Sequence, residues 1–388
     1  MKPKSVFTLG WLLGFHFLCR AALPDPLVNV AGQKISAPAQ WPARRAEMIR
    51  VLEDDAIGHP PPPPGNVSGR DLATATLLDG QAEGHFVHLR FGPEGKLGFD
   101  ATLLLPAGTN AFTPPFPVIV QPVFIPLDAP GTPGTNSWTN AAPGYAGVLR
   151  RGYAVMCFHY QQCGLDKFNW RTSAFFPAYP ENDWGDLAAW AWGMSRCVDY
   201  LESQSFADPR KFIAVGHSRL GKTALVAGAL DERFALVAPA GSGCGGTGAY
   251  RFNGKNRGGK EGLEDALKHF PQWFGPGLTQ FSNHVDRLPF DQHWFIALIA
   301  PRRFIAADGL DDPAASVNAL VQSYLAAKPV FELLGVPDRI GLNFRPGGHR
   351  LAPEDWRAIL DFADQQLRGR KVDRTFDAHP PAVPAIAS

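Results

Sequence analysis

Residues 211–230 read KFIAVGHSRLGKTALVAGAL. An apolar strand at 211–215 runs into a glycine-flanked His-Ser-Arg corner, and an Ala/Leu-rich helix follows over 219–230. In a doubly wound fold, a strand-to-helix turn of this kind lifts a serine oxygen above the carboxyl edge of a parallel sheet. The turn is crowded, so small residues must surround it. Gly216 precedes Ser218 by two, whereas the following glycine is Gly221 at plus three, with Leu220 at plus two. The same pattern also fits a serine that only caps a helix after a buried strand. Partners elsewhere in the chain decide between the two.

Working outward, the apolar runs HFVHLRFG, GFDATLLLP, FPVIVQPVF and YAVMCFHYQ read as strands, and the segment around residues 41–57 reads as an amphipathic helix. WGDLAAWAWGMSRCVDYLES (184–203) is an apolar helix. Beyond the serine corner come strands at 234–239 and 302–309, a helix from Val317, a last strand in IGLNFRPGGH and a closing helix in APEDWRAILDFADQQL. Strands alternating with helices after residue 150 predict a mostly parallel, doubly wound α/β sheet, and the strand-rich first part predicts an antiparallel N-terminal edge. The Gly-rich, aromatic block at 241–290 is long for a connection and is expected to overhang the Ser218 corner as a loop insertion over the active site.

The ends and the composition narrow the possibilities. Lys2 and Lys4 precede an apolar run from Val6 to Leu18, with Cys19, Ala21 and Ala22 after it. Residues 1–22 therefore read as a secretory signal, too short to span a bilayer, and the protein as periplasmic or secreted, with no membrane attachment after cleavage. Residues 23–372 are expected to form one catalytic domain, acting as a monomer, and the Pro/Ala tail 373–388 to be disordered. A net charge of +1 with no Lys/Arg run argues against nucleic-acid partners. Cys157, Cys163, Cys197 and Cys244 are not a disulfide framework, although one bridge is allowed. No cysteine or histidine spacing matches a zinc site, so no metal and no cofactor are expected.

A serine hydroxyl needs a base to take its proton and an acid to orient the base. In this architecture the order is serine, acid, histidine. His349, on the Gly347-Gly348 loop past the last strand, is placed to be the base, and its alternative reading is a surface loop histidine. His217 is adjacent to the serine and points away, while His269, His284 and His293 read as structural or wall-lining. Asp308, Asp311 and Asp312 are candidates for the acid. Asp308 is favoured because it ends a strand, and Asp312 with Pro313 reads as the start of the next helix.

GHSRLGKTALVAGALDERFALV, SGCGG, LPFDQHWFIALIAPR, WGDLAAWAWGMSRCVDYLE and the GGH…DW ending resemble the bacterial glucuronoyl esterases, carbohydrate esterase family 15, over residues 27–367. The resemblance implies an α/β-hydrolase cleaving esters between lignin alcohols and the 4-O-methyl-glucuronic acid of xylan. It implies Ser218 as nucleophile, His349 as base and Arg219 as oxyanion donor through its N–H and guanidinium. It further implies that Lys222 and Glu261 or Glu264 bind sugar hydroxyls. Lys222 is otherwise a solvated first-turn residue. A second oxyanion donor is expected in the loop after VIVQPVF.

Two departures stand out. Gly241 occupies a position where many members carry the triad glutamate, which moves the acid role to the later strand. Leu310 replaces a tryptophan that stacks on the sugar, leaving Trp273 or Phe274 as substitute platforms. The rival readings are an esterase for acetylxylan or another carbohydrate ester, such as a methyl uronate of pectin, and a catalytically silent carbohydrate-binding relative.

Overall fold

The computed structural model describes residues 22–108, 112–128, 137–254 and 261–381. The expected signal segment lies outside the described residues except for Ala22.

Nine strands among the described residues form one sheet: β1 (Ser68–Leu77), β2 (Ala82–Phe91), β3 (Leu97–Pro106), β4 (Phe116–Val123), β5 (Ala154–His159), β6 (Ala207–His217), β7 (Phe234–Ala240), β8 (Arg303–Gly309) and β9 (Ile340–Arg345). Their order is β1-β2-β3-β5-β4-β6-β7-β8-β9. The first three strands and the β3–β5 contact are antiparallel, and every pairing from β5 to β9 is parallel. This is the α/β-hydrolase arrangement expected from the sequence.

The helices are α1 (Trp41–Leu52), α2 (Ala142–Leu149), α3 (Asp186–Leu201), α4 (Arg219–Leu230), α5 (Leu263–His269), α6 (His293–Ala297), α7 (Val317–Leu333) and α8 (Pro353–Arg368). Side chains alternate across each strand, so the central strands feed two cores. Phe212 and Ala214 of β6, Val118 and Val120 of β4, and Phe304 and Ala306 of β8 pack with α3, α4 and α7. Ile213, Val215, Ile119, Ile305 and Ala307 pack with α2 and α8 on the opposite face. Strands covered on both faces must be apolar throughout, which is why they read as continuous runs.

Two elements, β1 and α2, leave little trace in the sequence pattern. β1 is an edge strand without a buried residue, so its sequence SGRDLATATL carries little alternation. α2 holds Pro143, Gly144 and Gly147, poor helix formers, and is kept helical by burial of Tyr145, Val148 and Leu149. The tail is also tied down further than expected. Phe376 packs edge-on against Phe362 at 5.0 Å, and its carbonyl accepts from the Leu342 N–H at 2.6 Å, so order persists past residue 373. The four described cysteines are buried and unpaired.

Candidate active site

Ser218 joins β6 to α4 with φ 59° and ψ −128°, a conformation that costs a non-glycine residue roughly 1–3 kcal/mol. Its N–H donates to the Ala240 carbonyl at the end of β7, at 2.9 Å. A Cβ at position 216 would lie 1.9 Å from the Leu220 carbonyl oxygen, and one at 221 would lie 2.9 Å from the Ala240 carbonyl oxygen. These contacts give each glycine its reason. The plus-three glycine lets α4 sit against β7, while Leu220 at plus two is buried in the core. The Ser218 side chain makes no cap bond to the helix. Its Oγ lies 2.8 Å from His349 Nε2 instead.

His349 stands on the loop between β9 and α8, which is organised from below. Buried Arg345 donates from Nε to Asp355 Oδ2 at 2.7 Å and reaches the carbonyls of Pro346, Gly348 and Arg350. One charged pair thereby satisfies three loop carbonyls and fixes the backbone that carries the imidazole. The His217 ring packs tilted against that of His349, 4.6 Å between centroids. Burial, together with the neighbouring His349, pushes the His217 pKa down to about 4, so it is a neutral spacer at physiological pH. His293 is buried with Nε2 on the Pro24 carbonyl, while His269 and His284 are exposed.

The favoured acid requires correction. His349 Nδ1 lies 2.7 Å from Asp312 Oδ2, not on Asp308. β8 extends through Gly309, so Asp308 is still a strand residue, paired in register with Phe344 and turned into the interior. Its Oδ1 accepts the Gly241 N–H at 2.8 Å and its buried Oδ2 has no partner among the described residues. Burial pushes its pKa up to about 7. The turn after β8 then delivers the two later carboxylates. Asp311 Oδ2 accepts from the Gly347 N–H at 2.9 Å, stapling the acid loop to the histidine loop. Asp312 reaches the imidazole, and its Oδ1 accepts from the Ala314 N–H at 2.7 Å. Burial opposes ionisation of Asp312. The hydrogen bonds from His349, Ala314 and Ala315 outweigh it and hold the pKa below the usual carboxylate range. The helix start assigned to Asp312 belongs to Ser316, whose Oγ accepts from the Ala319 N–H.

Beside the serine, the first N–H groups of α4, at Arg219 and Leu220, have no carbonyl ahead of them within the helix, which makes that terminus a ready anion site. The Arg219 guanidinium donates to Asp166 Oδ2 at 2.5 Å and lies over Phe270 and Trp273. Lys222, one turn on, is buried rather than solvated. Its Nζ donates to the Ser242 carbonyl at 2.5 Å, and burial lowers its pKa, partly offset by Glu261. Glu261 and Glu264 both act electrostatically on buried Cys244. Phe124, in the loop after β4, stands edge-on to Tyr160 and His217.

The expected substitute platforms are closed. Trp273 and Phe274 are only 3% and 6% exposed, and the Trp273 ring stacks on Phe270 at 4.0 Å. Leu310, in contrast, is 45% exposed.

The arrangement suits acyl transfer: a hydroxyl, an imidazole and a carboxylate in line, with N–H donors and two cations beside them. Comparisons with known proteins agree. Residues 94–335 match the family model described as glucuronyl esterase, fungi. The chain is 30% identical to a carbohydrate esterase of an unknown prokaryotic organism, over 89% of this chain and 90% of that one. It is also 30% identical to a 4-O-methyl-glucuronoyl methylesterase of Schizophyllum commune, over 92% and 85% respectively. Among solved structures, a carbohydrate esterase family 15 glucuronoyl esterase from Caldicellulosiruptor kristjansonii superposes with a TM-score of 0.76 at 33% identity, covering 93% of this chain and 94% of its own.

Proposed function

We propose, for a chain that belongs to the glucuronoyl esterase family and is a carbohydrate ester hydrolase, that Ser218, His349 and Asp312 hydrolyse glucuronoyl esters of xylan. The observation that carries this reading is the unbroken hydrogen-bonded line from Asp312 through His349 to Ser218, 2.7 and 2.8 Å long, ending beside Arg219. His349 takes the Ser218 proton as Oγ attacks the ester carbonyl carbon. The oxyanion forms against the Arg219 N–H and guanidinium, with a second donor from the loop at Phe124. The C–O bond to the alcohol then breaks, and the alcohol leaves with the proton that His349 returns. Water, deprotonated by the same imidazole, attacks the acyl carbon, the bond from that carbon to Ser218 Oγ breaks, and His349 returns the proton to Oγ as the uronic acid leaves.

Lys222 supplies a cationic donor toward sugar oxygens: with one N–H on the Ser242 carbonyl, its ammonium has two further donors to offer. Glu261 and Glu264 are the acceptors on that side. The protein acts outside the cytoplasm, as the basic start and apolar run of residues 1–22 suggest. The described residues contain no helix long and apolar enough to cross a membrane.

A broader specificity is favoured by one feature: exposed Leu310 offers no ring to stack on a sugar. Benzyl glucuronate and p-nitrophenyl acetate separate the two readings. Lys222→Ala is expected to lower kcat/KM for benzyl glucuronate about tenfold, the worth of a charged hydrogen bond, and to leave acetate hydrolysis within about twofold. Equal losses on both esters return the acetyl-ester reading.

A further inference from the structure

We infer that Asp166 is a positioning residue for Arg219, holding the guanidinium at the oxyanion side of the site. The inference rests on the esterase reading above and deepens it. Asp166 sits in the loop between β5 and α3, its side chain only 4% exposed. Four donors from three parts of the chain converge on its carboxylate. Oδ2 accepts from Tyr160 Oη at 3.0 Å and from Arg219 Nη1 at 2.5 Å. Oδ1 accepts from Trp273 Nε1 at 2.7 Å and Gln272 Nε2 at 3.0 Å. The backbone beneath is fixed as well. Asp166 has φ 55°, and its N–H donates to Asp186 Oδ2 at 3.1 Å at the start of α3.

Two donors on each oxygen leave the carboxylate no freedom to rotate. It therefore grips one edge of the guanidinium, while Phe270 and Trp273 lie under its face at 5.4 and 5.0 Å. An arginine on a flexible stem loses rotamer freedom whenever it meets a developing charge. One already clamped makes that contact without reorganising. The same carboxylate draws Gln272 and Trp273 of the overhanging block onto the serine side. Trp273 thus supports the clamp twice over, since its indole N–H serves Asp166 and its ring lies beneath Arg219 rather than a sugar.

The experiment is a double-mutant cycle on the full chain with benzyl glucuronate. Asp166→Asn keeps the shape but removes the charge opposite Arg219 and sets an NH₂ against one of the two donor pairs. It is expected to lower kcat about 10- to 100-fold, the cost of misplacing a catalytic group by about an ångström, with KM within about threefold. In an Arg219→Ala background the same change is expected to cost less than twofold. Tyr160→Phe removes one donor without touching the charges, and guards against a folding failure of the first variant. It is expected to lower kcat roughly two- to tenfold, and again only when Arg219 is present. Equal losses with and without Arg219 overturn the inference and make Asp166 a fold residue. Full activity in folded Asp166→Asn overturns it too. An Arg219→Ala enzyme with undiminished kcat instead removes the oxyanion role that the inference builds on.

Discussion

Ser218→Ala is expected to lower kcat for benzyl glucuronate by about 10⁵-fold or more, with little change in folding. Removing a triad nucleophile leaves only the contribution of oxyanion donors and binding, so the other two residues cannot compensate. The fold is expected to tolerate the change because Ser218 makes no side-chain cap to α4 and its backbone N–H, bonded to Ala240, is not altered. Steady-state kinetics beside a thermal melt checks both halves. A residual rate within about tenfold of the parent enzyme excludes Ser218 as the nucleophile.

Asp312→Asn is expected to lower kcat by about 10⁴-fold, whereas Asp308→Asn is expected to leave it within severalfold. An amide at 312 offers its NH₂ to His349 Nδ1 and thereby moves the ring proton to Nε2, the atom that must accept from Ser218. Asp308 touches Gly241 and not the imidazole. Its effect lies on stability. Its folded pKa, about 7, stands above the ordinary value of 3.8. Between those two values the unfolded chain gives up a proton that the native chain keeps, so stability falls as pH rises through the window. Asp308→Asn is expected to remove that loss, with a gain in Tm over the parent that is larger at about pH 8 than at about pH 4. Kinetics in which Asp308→Asn is the severe variant restores the acid to the strand end.

What the sequence disclosed follows from where the physics is local. The apolar runs of β4 to β9 and the periodicity of α3, α4, α7 and α8 are imposed by burial on both sheet faces, so they can be read directly. The serine corner is legible because its glycines answer steric contacts within a few residues. His349 is legible from chain order and its glycine loop. The acid is not. Asp308, Asp311 and Asp312 lie within five residues, and although the strand end is read at residue 309 as observed, which carboxylate meets the imidazole depends on how the β9–α8 loop sits beside the turn. That is not a local property. Asp166 escapes for the same reason: its donors Arg219, Gln272 and Trp273 lie 53 to 107 residues away. Trp273 looks like a platform because an aromatic in a loop block reads as exposed until its packing is known.

One oxygen, that of Ser218, is proposed to be made reactive by His349 and Asp312. Reaction of the full chain with a fluorophosphonate, followed by intact mass and peptide mapping, tests this most directly. A single adduct is expected, on the Ser218 peptide, forming in step with loss of esterase activity and far more slowly in Asp312→Asn. An adduct on a different residue, or activity that persists after Ser218 is fully labelled, contradicts it.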